Sequence, residues 1–257
     1  MALADHFREV RARLLRSVLL WIVLFIVALV FYNDLLELII HPYNRAMELL
    51  NHKVDSKLVV SGVTAGLTLQ LKLCGVLALI ASSPYWLFQI WRFIVPGLHP
   101  QERKWSRVFA AIAGPLFFLG VAVGWWVLPK GVQVLVGFTP VHAENLVDFG
   151  EFFSFTTRML LIFGVAFEIP LFVVMLNLAG LVTGRKLGQL RPWIIIGTMV
   201  FAAVATPSTD PFSMLMLAIP MLVLFLIAEI LARIVDRARG RRKVTTDTWD
   251  DDQISPL

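Results

Sequence analysis

The stretch MLLIFGVAFEIPLFVVMLNLAGLVTG, from Met159 to Gly184, decides the fold, because Glu168 is its one ionisable residue. About 20 apolar residues in a helix cross roughly 30 Å of hydrocarbon. Working outward from it, five more stretches lack Asp, Glu, Lys and Arg: Ser17 to Asn33, Leu73 to Trp91, Val108 to Pro129, Pro192 to Thr209, and Pro211 to Ala228. Barrel strands need about ten residues of alternating polarity, whereas these runs are apolar on every face. The expected fold is an all-α integral membrane protein with six transmembrane helices.

Composition agrees with that reading. The 257 residues are 58% hydrophobic, with a mean hydropathy of +0.77, far more apolar surface than one soluble core hides. The net charge of +5 sits in short basic blocks between apolar runs, so membrane topology accounts for it and no nucleic-acid partner is expected. The single cysteine, Cys74, lies inside an apolar run, which leaves no intrachain disulfide and no cysteine metal framework.

Orientation follows from where the cations fall. With the N-terminus inside, seventeen of the 23 Lys and Arg residues lie in cytoplasmic segments, and only Arg45, Lys53, Lys57 and Lys130 lie in outer loops. Both termini are therefore expected in the cytoplasm. Arg8, Arg11, Arg13 and Arg16 precede the first run, which reads as an uncleaved signal anchor. Leu3, Phe7, Val10 and Leu14 fall within about 60° of one another at helical spacing, predicting a short interfacial amphipathic helix over residues 2–14.

Residues 34–70 form a long outer loop expected to fold over the outer face. A membrane domain over residues 1–235 is expected to give way to a disordered cytoplasmic tail over residues 236–257, which ends in Asp250, Asp251 and Asp252 before the last five residues. Between Trp193 and Ala205 there is room for a helix of only about 20 Å, roughly 10 Å short of a bilayer core.

Glu168, placed near the middle of its run, costs about 3 kcal/mol to insert. Pro170 after it adds a kink and frees a carbonyl. A neutral glutamic acid bonded to another helix and a functional intramembrane site both fit the pattern. Two acids stand among arginines on the cytoplasmic side, Glu9 and Glu102. Glu9 with Arg13 makes an ordinary i,i+4 pair, and Glu102 after Pro100 makes an ordinary helix cap, so spacing alone leaves their roles open.

No nucleophile and base pair, phosphate loop or zinc motif occurs, and the five histidines are scattered, so neither an enzyme nor a metal site nor any other cofactor is expected. A small-solute or ion transporter using Glu168 as a ligand is the alternative, with Lys72 and Arg158 the available ionisable partners.

Four signatures together resemble the TatC subunits of twin-arginine translocases. They are His6-Phe7-Arg8-Glu9-Val10-Arg11-x-Arg13; Ser83-Pro84-x4-Gln89-Ile90-Trp91-x-Phe93-Ile94-x-Pro96-Gly97-Leu98-x3-Glu102-Arg103; Phe163-Gly164-x2-Phe167-Glu168-Ile169-Pro170; and Thr206-Pro207-x2-Asp210-Pro211 followed by Ala218-Ile219-Pro220. The resemblance implies a non-enzymatic receptor in the bacterial cytoplasmic membrane. Such a receptor binds twin-arginine signal peptides of folded cargo, self-associates in a larger complex and works with TatA-like and TatB-like single-span proteins, driven by the proton-motive force.

It further implies that Glu9, Arg11, Phe93, Glu102 and Arg103 form the signal-peptide patch and that Glu168 is an intramembrane polar site. Partner docking falls to the hairpin carrying Thr206, Asp210, Ser213 and Met214. Three positions depart from the family pattern: Met214 where some relatives have Gln, Leu226 where some have an acid that Glu229 is positioned to replace, and Phe7 where Leu is usual.

Overall fold

The computed structural model describes residues 3–50, 56–94, 103–140, 145–178, 182–205 and 211–246. The first helix, α1 (Leu3–Val30), is unbroken because no Gly or Pro interrupts it. The separate interfacial helix expected over residues 2–14 is thus corrected: the amphipathic start is the first turns of α1. Along the apolar part of this helix only Ala28 is buried, so most of its surface is exposed.

The stretch expected as a long outer loop carries two structural elements among its described residues. Helix α2 (Tyr32–Leu49) buries Ile39, Pro42, Tyr43 and Ala46, one stripe at i, i+3, i+4 and i+7, and packs on the third long span. Strand β1 (Ser56–Val59) then pairs in parallel with β2 (Asn145–Asp148), Ser56 opposite Asn145 and Val59 opposite Asp148. Tyr43 and Ser56 share a hydroxyl hydrogen bond of 2.8 Å, which ties α2 to this ribbon. The ribbon is the one departure from an otherwise helical fold among the described residues.

The second span is a bent pair, α3 (Ala65–Ala81) and α4 (Ser83–Ile94), turned by 53° at Ser82. Pro84, lacking an N–H, cannot continue the ladder of α3. Helix α5 (Arg103–Gly137) crosses α6 (Phe149–Phe167) at a glycine-lined contact. A Cβ on Gly120 would lie 2.5 Å from the Phe163 carbonyl oxygen, and one on Gly164 would lie 2.6 Å from the Phe117 ring. Small residues here let two backbones approach where packing rather than water drives association.

Asp148, the last residue of β2, caps α6 by accepting hydrogen bonds from Gly150 N–H at 2.8 Å and Glu151 N–H at 3.2 Å. Glu168 then breaks the span, and α7 (Ile169–Leu178) completes it. The fourth span runs Phe149–Asn177 rather than starting at Met159, because Glu151 and Arg158 are carried on a helix that is otherwise apolar. Glu168 therefore sits about 28 Å from the start of its span and about 14 Å from the end, not near the middle.

The last pair is α8 (Gly184–Ala205) and α9 (Pro211–Thr246). The expected short helix is corrected in part: α8 has 22 residues, but Arg185, Lys186 and Arg191 occupy its first turns, so its charge-free part remains short. Helix α9 continues to Thr246, beyond the expected boundary at residue 235, and residues 247–257 lie outside the described residues. With the bent α3–α4 pair counted as one, the described residues hold six candidate spans.

Candidate functional site

Glu168 lies at the break between α6 and α7, where Phe172 N–H donates to its carbonyl at 2.9 Å. Pro170 offers no N–H, so the break is built into the sequence. Both carboxyl oxygens are buried, and neither completes a well-formed hydrogen bond. The polar group that interacts with this carboxyl is the indole of Trp91, on α4. Trp91 is buried, and its ring lies 6.4 Å from that of Phe172. Two signatures 77 positions apart in the chain, one around Trp91 and one around Glu168, thus meet inside the protein.

The amphipathic start of α1 reaches the same region. Arg13 Nη1 donates to the Gln89 carbonyl at 3.4 Å, joining the first turns of α1 to the middle of α4. Arg11 is exposed on α1. Glu9 belongs to α1, Phe93 to α4 and Arg103 begins α5, with their side chains outside the described residues. Glu102 lies wholly outside them. The helices that carry these signatures are neighbours, with α1 packed against α4 and α4 against α5.

On the hairpin, Thr206 and Asp210 lie outside the described residues, and Ser213 is on α9 with its side chain outside them. Met214 is half-buried and packs against the main core. The Phe212 ring lies 5.8 Å from that of Phe138 at a tilt of 46°, bringing the start of α9 beside the end of α5. The outward faces of α8 and α9, among them Val200, Val204, Leu215 and Ile219, are exposed and apolar.

Sequence reading missed a polar cluster at the other end of this hairpin. Glu229 is 1% exposed and accepts from Arg191 Nε at 2.7 Å and Arg191 Nη2 at 2.8 Å, with Arg233 Nη2 at 2.6 Å. Its pairing corrects the idea that Glu229 stands in for an acid at Leu226, since both carboxylate oxygens are already engaged within the chain. Beside it, Asp236 accepts from Asn177 Nδ2 at 2.7 Å and from the Gly184 N–H at 2.6 Å, stapling α7, α8 and α9 together. The Glu229 and Arg233 spacing was a legible i,i+4 signal; Arg191 was not.

Lys72 and Arg158, the ionisable partners that a transporter reading requires, line a separate cavity of about 690 Å3 with Asp148 and Glu151. Glu168 does not line it. Among the described residues, no three His, Cys, Asp or Glu side chains come together as a metal site.

The family model described as Sec-independent protein translocase protein (TatC) matches residues 5–220. The chain belongs to the TatC family. Curated TatC relatives include one from Frankia casuarinae, 37% identical across 100% of this chain and 73% of its own length. Another, from Escherichia coli K12, is 30% identical across 94% of this chain and 92% of its own length.

The crystal structure of a twin-arginine translocase receptor, TatC, superposes with a TM-score of 0.77 at 28% identity, covering 90% of this chain and all of that one. TatC membership makes this chain a multi-pass inner-membrane component of a protein translocase, not an enzyme.

Proposed function

We propose that this TatC-family chain is the receptor and core subunit that binds twin-arginine signal peptides and assembles the export complex for folded proteins. The observation that carries this reading is the Arg13 to Gln89 hydrogen bond, which draws the α1 and α4 signatures together. In that arrangement Glu9 and Glu102 grip the arginine pair of the signal, because a carboxylate matches guanidinium geometry with two parallel bonds. Arg11 and Arg103 adjoin the two acids in the chain, and Phe93 supplies an apolar contact.

Both termini face the cytoplasm, in line with the excess of Lys and Arg in the segments that this orientation places inside. Glu168, nearer the α7 end of its span, then lies on the patch side of the membrane. It offers a polar contact to the hydrophobic part of the signal or to the head of a partner helix. TatA-like and TatB-like single spans dock on the α8–α9 hairpin, the complex contains several copies of this chain, and the proton-motive force drives transport.

Binding of a twin-arginine peptide and its twin-lysine counterpart to the protein in nanodiscs tests the reading. The arginine peptide should bind more tightly. Equal binding of the two overturns the receptor assignment.

A further inference from the structure

Two cations lie well inside the spans that carry them. The fourth candidate span begins at Phe149 and the second at Ala65, so the backbones of Arg158 and Lys72 sit about 14 Å and about 10 Å past those starts. A charged side chain at such depth pairs with another or faces a water-filled cavity. Both side chains are exposed, both line the cavity of about 690 Å3 described above, and among the described residues neither makes an ion pair.

An acid shares that cavity nearer the membrane edge. Glu151, exposed and likewise without an ion pair, lines it from only about 3 Å past the start of α6. Glu151, Ser154 and Arg158 follow i, i+3, i+7 spacing and so share one face of α6, which orders the charge along it: acid at the edge, cation deeper. Lys72 adds a second cation from α3, which packs on α6. The Asp148 carboxylate is engaged by the N–H groups of Gly150 and Glu151, and Val132, Val136 and Phe155 give the cavity an apolar wall.

We propose that this cavity seats the head of an ethanolamine phospholipid, its phosphate between Lys72 and Arg158 and its ammonium at Glu151. The order of the charges selects this occupant. In a bilayer the phosphate lies next to the hydrocarbon and the ammonium lies beyond it, which is the complement of cations deep and an acid at the rim. A phosphatidylglycerol head satisfies the two cations but brings nothing for Glu151. A phosphatidylcholine head has the right charges, but its quaternary ammonium has no N–H to donate to the carboxylate.

The test is native mass spectrometry of the protein released from nanodiscs that hold equal amounts of phosphatidylethanolamine, phosphatidylglycerol and phosphatidylcholine. Wild type should retain phosphatidylethanolamine in preference, by about fivefold. Glu151→Gln should bring phosphatidylglycerol level with it, whereas Lys72→Gln with Arg158→Gln should lower retention of all three about tenfold and Arg158→Lys should keep most of it. Because Glu151 is exposed, its variant tests the order of the charges even if removal of both cations unsettles the fold. Equal retention of the three lipids by wild type, or an unchanged preference in Glu151→Gln, overturns the proposal. In detergent, soluble phosphorylethanolamine should bind far more weakly than the lipid, since the apolar wall is then unfilled; equal binding overturns the assignment to a lipid. No arm contains a signal peptide, so the outcome is independent of the receptor reading.

Discussion

Arg191 and Glu229 meet through two parallel hydrogen bonds, Nε to Oε2 and Nη2 to Oε1, across the α8–α9 hairpin. Their 38-residue separation makes this a clamp between two spans rather than a feature of one helix. Glu229 is buried while Arg191 is about half exposed, so water recovers part of what is lost when the pair breaks. Glu229→Gln should therefore lower stability by about 1–3 kcal/mol. Thermal unfolding in detergent reads this directly, and an unchanged midpoint would show that the clamp contributes nothing.

At Glu168, polarity and charge separate by substitution. Glu168→Gln keeps a hydrogen-bonding group beside Trp91 and should retain much transport activity. Glu168→Ala should impair assembly or transport while leaving binding of the signal at the cytoplasmic patch largely intact. Normal transport by the alanine variant would reduce Glu168 to packing.

The crossing of α5 and α6 predicts a rescue. Gly164→Ala puts a methyl group against the Phe117 ring, an overpacking cost of about 1–3 kcal/mol. Phe117→Leu in the same chain should restore part of the loss. Gly120→Ala should resist such repair, because its methyl group meets the Phe163 backbone. Equal thermal midpoints for Gly120→Ala and wild type would mean the helices can separate at little cost.

Signal binding should depend on Glu102 more than on Glu9. Charge-assisted contacts contribute about 1.5–3 kcal/mol when shielded, so Glu102→Ala should weaken binding about tenfold and Glu102→Arg should abolish it. Glu9→Ala should have a milder effect, and the double variant should lose less than the sum, since both acids hold one motif. Titration of peptide into each variant measures all three. Full discrimination between arginine and lysine peptides by both single variants would return these acids to ordinary solvated helix ends.

Cysteines at Ser213 or Met214 should crosslink to a cysteine in a partner's single span, reporting the hairpin as the docking surface. Cys74, the sole native cysteine, is buried and should stay out of the reaction. Crosslinks elsewhere on the chain, with none at either position or at its neighbours up to Leu217, would move the docking site away from α9.

The six spans were legible because hydropathy is a one-dimensional property that lipid reads in the same way as sequence analysis. Their edges were less so. Phe149 to Arg158 contains Glu151 and Arg158, which end a charge-free run without ending a helix. The strands Ser56–Val59 and Asn145–Asp148 are four residues each and pair with one another across a long stretch of chain, so neither carries a local signal. The meeting of Trp91 with Glu168, like that of Arg191 with Glu229, depends on how helices are stacked, which no spacing along one helix records.

The ribbon has a consequence for height. Because β1 and β2 run in the same direction, the chain leaves both strands heading the same way, into α6 at once and into α3 after a short turn. The pairing works as a common datum from which two spans are measured downward. A slip of one residue would displace α6 by about 3.3 Å along the strand direction and turn its side chains to new neighbours. The four-residue ladder thereby sets the position of a carboxyl group about 28 Å along the span that follows it.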